Sequence, residues 1–251
     1  MQITVKGLVL RETKVGDYDK IITLLTKEYG RISVSAKGSK NLKSRFLAGT
    51  QSFCYGSFTL FSSKGKYSLN ELELIESFYG LRNDIAALAL GGYICALAGE
   101  LSNENEDCGE LLALTLNALY LTVKNDRPRA LVKSVYELRA LSIAGFAPDL
   151  VACNGCGCFE SDEVLFSITE ALMWCRECFD KLEIKPLDAK VIAPNVLYAM
   201  RYILFSEDKK IFSFKLDSSE LDALSDICES YMKEKTEHRI AALDFYNSVK
   251  E

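Results

Sequence analysis

Residues 153–178 read CNGCGCFESDEVLFSITEALMWCREC and hold five of the chain's nine cysteines and its one tryptophan. Cys153-x2-Cys156 and Cys175-x2-Cys178, separated by 18 residues, have the spacing of a two-knuckle zinc site. Each pair bends the chain so that two sulfurs face one ion, and Glu163–Ile168 between them suits a strand that returns the second pair to the first. Four thiolates close a tetrahedral shell with no position left for water, so the expected role is structural. Free structural cysteines and a thioredoxin-like redox pair are the competing readings, and no βαβ pattern surrounds either pair to favour the latter. Cys158 is a fifth thiol, read as a spare, although a C-x4-C ring with Cys158 in place of Cys156 is conceivable.

Upstream of residue 80 the pattern is that of strands. Ile3–Val5 and Leu8–Leu10 flank Gly7, Ile32, Val34 and Ala36 alternate with Arg31, Ser33 and Ser35, and Phe58 and Leu60 precede the turn Ser62–Lys66 before Tyr67, Leu69 and Glu71. Several short strands in so little chain avoid exposed edges by closing on themselves, and the five-stranded OB barrel has the right size.

The period then changes to helical. Asn83 or Asp84 caps a helix with Ile85, Leu88, Ala89 and Gly92 on one stripe, a second fits residues 108–124, and a third starts with Pro128 at a first-turn position and carries Leu131, Val135, Leu138 and Leu141 to Gly145. Pro194 opens another, with Leu197, Met200, Ile203 and Leu204, and Asp217 or Ser218 caps the last, with Leu221, Leu224, Cys228 and Tyr231. The expected fold is a multi-domain α+β chain. An N-terminal OB-fold, a small β-barrel (1–80), precedes an all-α helical domain in two parts (81–148 and 183–251), with a four-cysteine zinc finger inserted at 149–182.

The net charge of −5 hides an asymmetry: residues 1–50 carry +6 and the remainder −11. A basic end on an acidic body points to an anionic partner. Within 36–46, AKGSKNLKSRF, Lys37, Lys40, Lys43 and Arg45 stand without an acid among glycine, serine and asparagine, a composition suited to tracking phosphates. Of the aromatics that follow, Phe53, Tyr55, Phe58 and Phe61, one or two are candidates to stack on bases and the rest belong to the barrel core.

Several function classes lose support. The single histidine, His238, would have to serve any Ser-His-Asp or Cys-His triad alone, zinc deaminases need a His-x-Glu upstream of their cysteines, and no phosphate-binding G-x-x-x-x-G-K-[ST] run is present. The expectation is a protein that is not an enzyme. Charges at Lys6, Arg11 and Glu12 interrupt any leader-like start and no 18-residue apolar run exists, so a cytoplasmic protein with no membrane partner is expected.

Taken in order, Gly7–Thr13 (GLVLRET), Lys27–Ile32 (KEYGRI), Ala36–Ser39 (AKGS) leading into Lys43–Arg45, then Tyr136–Leu141 (YELRAL), Gly145–Pro148 and the Cys153-x2-Cys156-Gly157 knuckle resemble the RecO family of recombination mediators, over about residues 3–180. The resemblance implies an OB-fold, a helical domain and a zinc finger with Cys153, Cys156, Cys175 and Cys178 as ligands of one structural Zn2+. It also implies DNA repair by homologous recombination in the RecFOR pathway of the DNA damage response: binding single- and double-stranded DNA, annealing complementary strands, and with RecR helping RecA load onto DNA coated by single-strand binding protein (SSB). A functional link to RecF and a bacterial, nucleoid-associated location follow from the same likeness. Arg31, Lys37, Lys40, Lys43 and Arg45 become the DNA-contact candidates. Arg129, Lys133 and Arg139, beside Leu131, Val135 and Leu138, are candidates for the acidic SSB tail. The chain's acidic pI of about 5.2 departs from many basic relatives and implies weaker, more salt-sensitive DNA binding. The alternative from another class is a zinc-stabilised interaction adaptor that does not bind DNA directly.

Overall fold

The computed structural model describes residues 1–207, 210–236 and 239–250, so His238 lies outside the described residues. The chain divides into two compact units, Met1–Asp126 with Ile240–Glu251, and Arg127–Arg239.

The first unit contains a closed barrel of β1 (Gln2–Val15), β2 (Asp19–Thr26), β3 (Arg31–Ala36), β4 (Tyr55–Ser63) and β5 (Lys66–Glu76), in the order β1-β2-β3-β5-β4 with β4 returning to β1. All ladders are antiparallel except β3–β5, where Val34 pairs with Tyr67. This is the OB arrangement expected from the alternation: Val5, Val9, Ile22, Leu24, Ile32, Val34, Phe58 and Leu60 fill the interior, and Arg31 and Ser33 point out. Ile3–Val5 and Leu8–Leu10 join through Gly7 into the one strand β1. Gly7 pairs with Thr26 on one side and Gly56 on the other, and β1 bends at an irregularity between Val9 and Arg11, which lets one long strand serve two neighbours and close the barrel.

Behind the barrel stand a 3-10 turn (Tyr79–Asn83), α1 (Ile85–Glu100) and α2 (Gly109–Lys124). Asp84 caps α1, its carboxylate accepting from Ala86 N at 2.8 Å. The single stripe expected on α1 does not hold. Ile85 is 60% exposed, while Ala86, Ala87, Ala89, Leu90, Tyr93, Ile94, Leu97 and Ala98 are buried. The reason is that α1 packs against β1, α2 and a C-terminal helix at once, so it is apolar nearly all round. Gly30, at φ +61, touches the start of the α1–α2 loop: a Cβ there would fall 1.9 Å from the carbonyl oxygen of Asn103.

The second unit is built on α3 (Arg129–Ile143), which starts one residue later than expected, with Pro128 in extended backbone as its N-cap, and is buried along Leu131, Val135, Leu138 and Leu141. After it come β6 (Val164–Ser167), β7 (Leu172–Cys175), α4 (Arg176–Asp180), β8 (Ala189–Ile192), α5 (Pro194–Phe205) and α6 (Ser218–Thr236); the C-terminal helix of the first unit is α7 (Ala241–Val249). The strand expected at 163–168 is β6, the middle of a three-stranded sheet ordered β7-β6-β8. The sheet continues past residue 182, because β8 pairs with β6 through Val164–Ile192. Phe166 on β6 meets Tyr231 on α6 with ring centroids 5.9 Å apart, so the cysteine segment is packed into its unit. The helices expected over 81–148 are shared between the units: α1 and α2 lie with the barrel, α3 with the cysteine segment.

Candidate metal centre and nucleic-acid interface

The sulfurs of Cys153, Cys156, Cys175 and Cys178 all lie within 4.8 Å of one another. The chain is shaped for this. The first knuckle is tied to β7 by Asn154 N donating to Met173 O at 2.8 Å, and Cys175 ends β7. Gly155 leaves room for the second knuckle, since a Cβ built on it would sit 2.8 Å from Cys178 Cβ and 2.9 Å from its sulfur. Backbone N–H groups of Gly155 and Cys175 donate to the Cys153 sulfur at 3.4 and 3.3 Å.

These contacts decide the electrostatics. Burial acts to raise the Cys153 thiol, but N–H donors from Cys156, Cys175 and Gly155 outweigh it and bring it down to about 6. Hydrogen bonding to Cys175 and then to Cys156 pushes Cys178 up to about 12, as happens when thiols are too close for all to ionise without a cation among them. The residues fit a metal ion. Cys156 and Cys175 sulfurs are 3.8 Å apart, and the edge of a sulfur tetrahedron with metal–sulfur bonds of about 2.3 Å is itself about 3.8 Å. Leu165, Trp174 and Phe179 wrap the cluster, Trp174 and Phe179 meeting edge-on at 6.2 Å. Arg176 grips Glu163 with two nitrogens, Nε to Oε2 at 3.0 Å, closing the strand end over the site. The Arg176 bond, then opposed by burial, holds the Glu163 carboxyl below its usual range.

Four of the five DNA-contact candidates, those of the basic stretch, follow the C-terminal end of β3. Lys37 and Lys43 are exposed, and Lys40 donates to Gly16 O at 2.8 Å. Arg45 lies 4.8 Å over the Phe46 ring and donates to Asn70 O at 2.8 Å. Arg31 opens β3, about 20 Å along the strand from Lys37, and donates to Gly99 O at 2.6 Å. The structure does not bring it to the others. Two shallow depressions carry the lysines: Lys37 shares one with Lys64, Lys66, Phe61 and Tyr67, and Lys40 and Lys43 share another with Tyr18 and Leu42. Phe61 is 55% and Tyr18 61% exposed, whereas Phe53 and Phe58 are core. Lys64, Lys66 and Tyr18 were not among the sequence candidates. Ser62–Lys66 reads as a turn, and only the β4–β5 pairing of Ser63 with Lys66, beside the parallel β3–β5 ladder, sets its lysines near Lys37.

On α3, Arg129 and Arg139 are half-buried, and Arg139 donates to Leu204 O at 2.6 Å. Lys133 is 2% exposed and pairs with Glu137 at 3.0 Å and Glu229 at 2.9 Å, which leaves it no solvent-facing charge to offer an acidic tail. Its outward look in the sequence came from counting charge on a helix that α5 and α6 cover.

The order of these parts along the chain has counterparts in known proteins. The family model described as Recombination protein O N terminal matches residues 1–78, and that described as Recombination protein O C terminal matches residues 82–244. A DNA repair protein RecO of Acetivibrio thermocellus is 36% identical over 243 residues, 97% of this chain and 95% of the relative. One of Alkaliphilus metalliredigens is 30% identical over 234 residues, 92% and 93% of the two chains. One of Bacillus pumilus is 35% identical over 197 residues, 76% of each. With a closed barrel, a helical region and a four-cysteine cluster that suits a metal ion, the chain belongs to the RecO family of DNA repair proteins.

Proposed function

We propose that this protein is a non-enzymatic recombination mediator that binds single- and double-stranded DNA on its barrel. It anneals complementary strands and, with RecR, assists RecA loading onto SSB-coated DNA, in functional linkage with RecF, in the bacterial cytoplasm at the nucleoid. The observation that supports this most is the outer barrel surface, where Lys37, Lys64 and Lys66 surround the exposed ring of Phe61. Ammonium groups that track phosphates beside a ring that accepts any base suit a protein that must hold strands without choosing their sequence. Lys40, Lys43, Arg45 and the Tyr18 ring extend the surface, and Arg31 is a more distant contact. Arg129 and Arg139 are the cations proposed for the SSB tail.

The metal is proposed to be zinc, held by Cys153, Cys156, Cys175 and Cys178; it supplies a fixed crosslink and no chemistry to a substrate. The residues themselves set the knuckles against β7 and α4, and Trp174 and Phe179 pack against the buried Cys153 and Cys175. Among the described residues no helix is long and apolar enough to cross a membrane.

Fluorescence anisotropy of a labelled, unstructured single strand tests the DNA reading, comparing the intact protein with Lys37, Lys40, Lys43 and Arg45 all changed to Glu. Salt-dependent binding that the fourfold change removes is expected. Absence of binding by the intact protein at low salt overturns the reading in favour of the adaptor, which the acidic net charge of −5 favours. Metal analysis of Cys175→Ser tests the site, with zinc near zero expected.

A further inference from the structure

Five thiols gather at the metal centre. Two residues beyond Cys156, the chain turns back on itself: Cys158 O accepts from Cys153 N and Cys153 O accepts from Gly157 N, both at 2.8 Å. That ring of backbone bonds fixes Cys158 against the cluster of Cys153, Leu165, Trp174, Cys175 and Phe179. Cys158 stands half-buried two residues from Cys156, whose sulfur lies 3.8 Å from that of Cys175. Cys153 and Cys175 are buried and Cys178 half-buried, whereas Cys156 is exposed. The ligand most open to solvent and to electrophiles is thus the one beside which a further thiol waits.

Resting on the metal reading above, we infer that Cys158 is an alternative ligand, so that the ion is held by Cys153, Cys175 and Cys178 with either Cys156 or Cys158 in the fourth position. In the exchange the Cys156 sulfur leaves the ion and takes up a proton from water, and Cys158 gives its proton to water and binds. Nothing is oxidised or reduced, and the shell keeps four thiolates and the same charge. A thiol that merely packs predicts otherwise: loss of Cys156 then leaves three sulfurs and an open position for water.

Co2+ reports the difference, because its absorption distinguishes four-sulfur from three-sulfur tetrahedral sites. Purified apo protein is titrated with Co2+ as the unchanged chain, Cys156→Ser, Cys158→Ser and the double variant Cys156→Ser/Cys158→Ser. The unchanged chain and both single variants are expected to take one equivalent with the four-thiolate spectrum. The double variant is expected to lose that spectrum and to bind about tenfold or more weakly than either single variant. A three-thiolate spectrum already in Cys156→Ser overturns the inference while leaving the metal site standing. Failure of the unchanged chain to take up Co2+ overturns both. If Cys156→Ser does not fold, native mass spectrometry of the zinc-loaded unchanged protein, alkylated once at Cys156 by iodoacetamide, decides the matter. Retention of one zinc is expected, and its stoichiometric loss overturns the inference.

Discussion

Gly155 passes so close to Cys178 that a Cβ placed on it would lie 2.8 Å from the Cys178 Cβ. No real Cβ contact is that short, and both partners are held by their knuckles, so Gly155→Ala must push the second pair away from the first. Overpacking of this kind costs about 1–3 kcal/mol. The variant should release zinc to a competing chelator at lower concentration than the unchanged chain, and should melt earlier by about 2–4 °C for each kcal/mol lost. Unchanged metal retention with an unchanged melting point would mean that the knuckles are not clamped as described.

Lys133 presents a different dependence, that of charge on burial. Its ammonium faces Glu137, which is fully buried, and Glu229, which also pairs with Lys233 at 2.7 Å. Replacing it with Met takes the facing ammonium from the buried Glu137 carboxylate, at a cost of about 3–5 kcal/mol. Lys133→Met/Glu137→Gln should recover most of that loss in urea unfolding. A single variant as stable as the unchanged chain would show that this buried ion pair contributes nothing.

The same cluster sets a pH dependence. Burial acts to raise the Glu229 carboxyl, but Lys233 and Lys133 hold it down to about 2, from an ordinary 4.5. A carboxyl depressed by folding stabilises fully above its unfolded value, and that share is lost as pH falls through the folded one. The urea midpoint should therefore decline between pH 4.5 and about 2, and Glu229→Gln should flatten part of that decline. An identical acid profile in Glu229→Gln would assign the loss to other carboxyls.

Local signals carried the sequence reading furthest. The alternation Ile32, Val34, Ala36 announces a strand whatever lies beside it, and the two C-x2-C pairs carry their geometry in their spacing. Asp84 and Pro194 mark helix starts by their own backbone chemistry. What escaped depends on partners distant in sequence. Ile85 fits a helical stripe, yet which sides of α1 are covered is decided by β1, α2 and α7. Lys133 looks like a surface cation until Glu229, almost a hundred residues on, arrives with α6. β8 is four residues long and gains its identity from pairing with β6, and Lys64 and Lys66 read as a turn until the barrel closes.

Gly30 makes a bridge between the β2–β3 turn and the loop before α2, pairing with Glu104 while Arg31 N donates to Asn103 O at 3.0 Å. Gly30→Ala must both adopt φ +61 and displace the Asn103 carbonyl. A Cβ in the left-handed region costs on the order of 1 kcal/mol, and the clash adds to it. Urea unfolding should show a loss above that figure, with α1 and the barrel still formed by circular dichroism; a loss within error would mean the loop moves aside freely.

Charge and ring on the barrel surface separate by their response to salt. If Lys37, Lys64 and Lys66 neutralise phosphates, changing all three to Glu should flatten the plot of log affinity for a single strand against log salt. The expected decrease in slope is about 0.7 for each phosphate no longer neutralised. Phe61→Ala removes no charge, so its slope should stay put while affinity falls at every salt concentration by about 1–3 kcal/mol, the worth of a base stacked on an aromatic ring. Phe61 is the informative residue because it is exposed and pairs across β4–β5 with Ser68, so its removal leaves the core intact. Parallel binding lines displaced downward for Phe61→Ala, beside a flattened line for the lysine variant, would place a base on the ring and phosphates on the lysines. Coincident lines for Phe61→Ala and the unchanged chain would move the strand off this face, towards Tyr18 and Lys43.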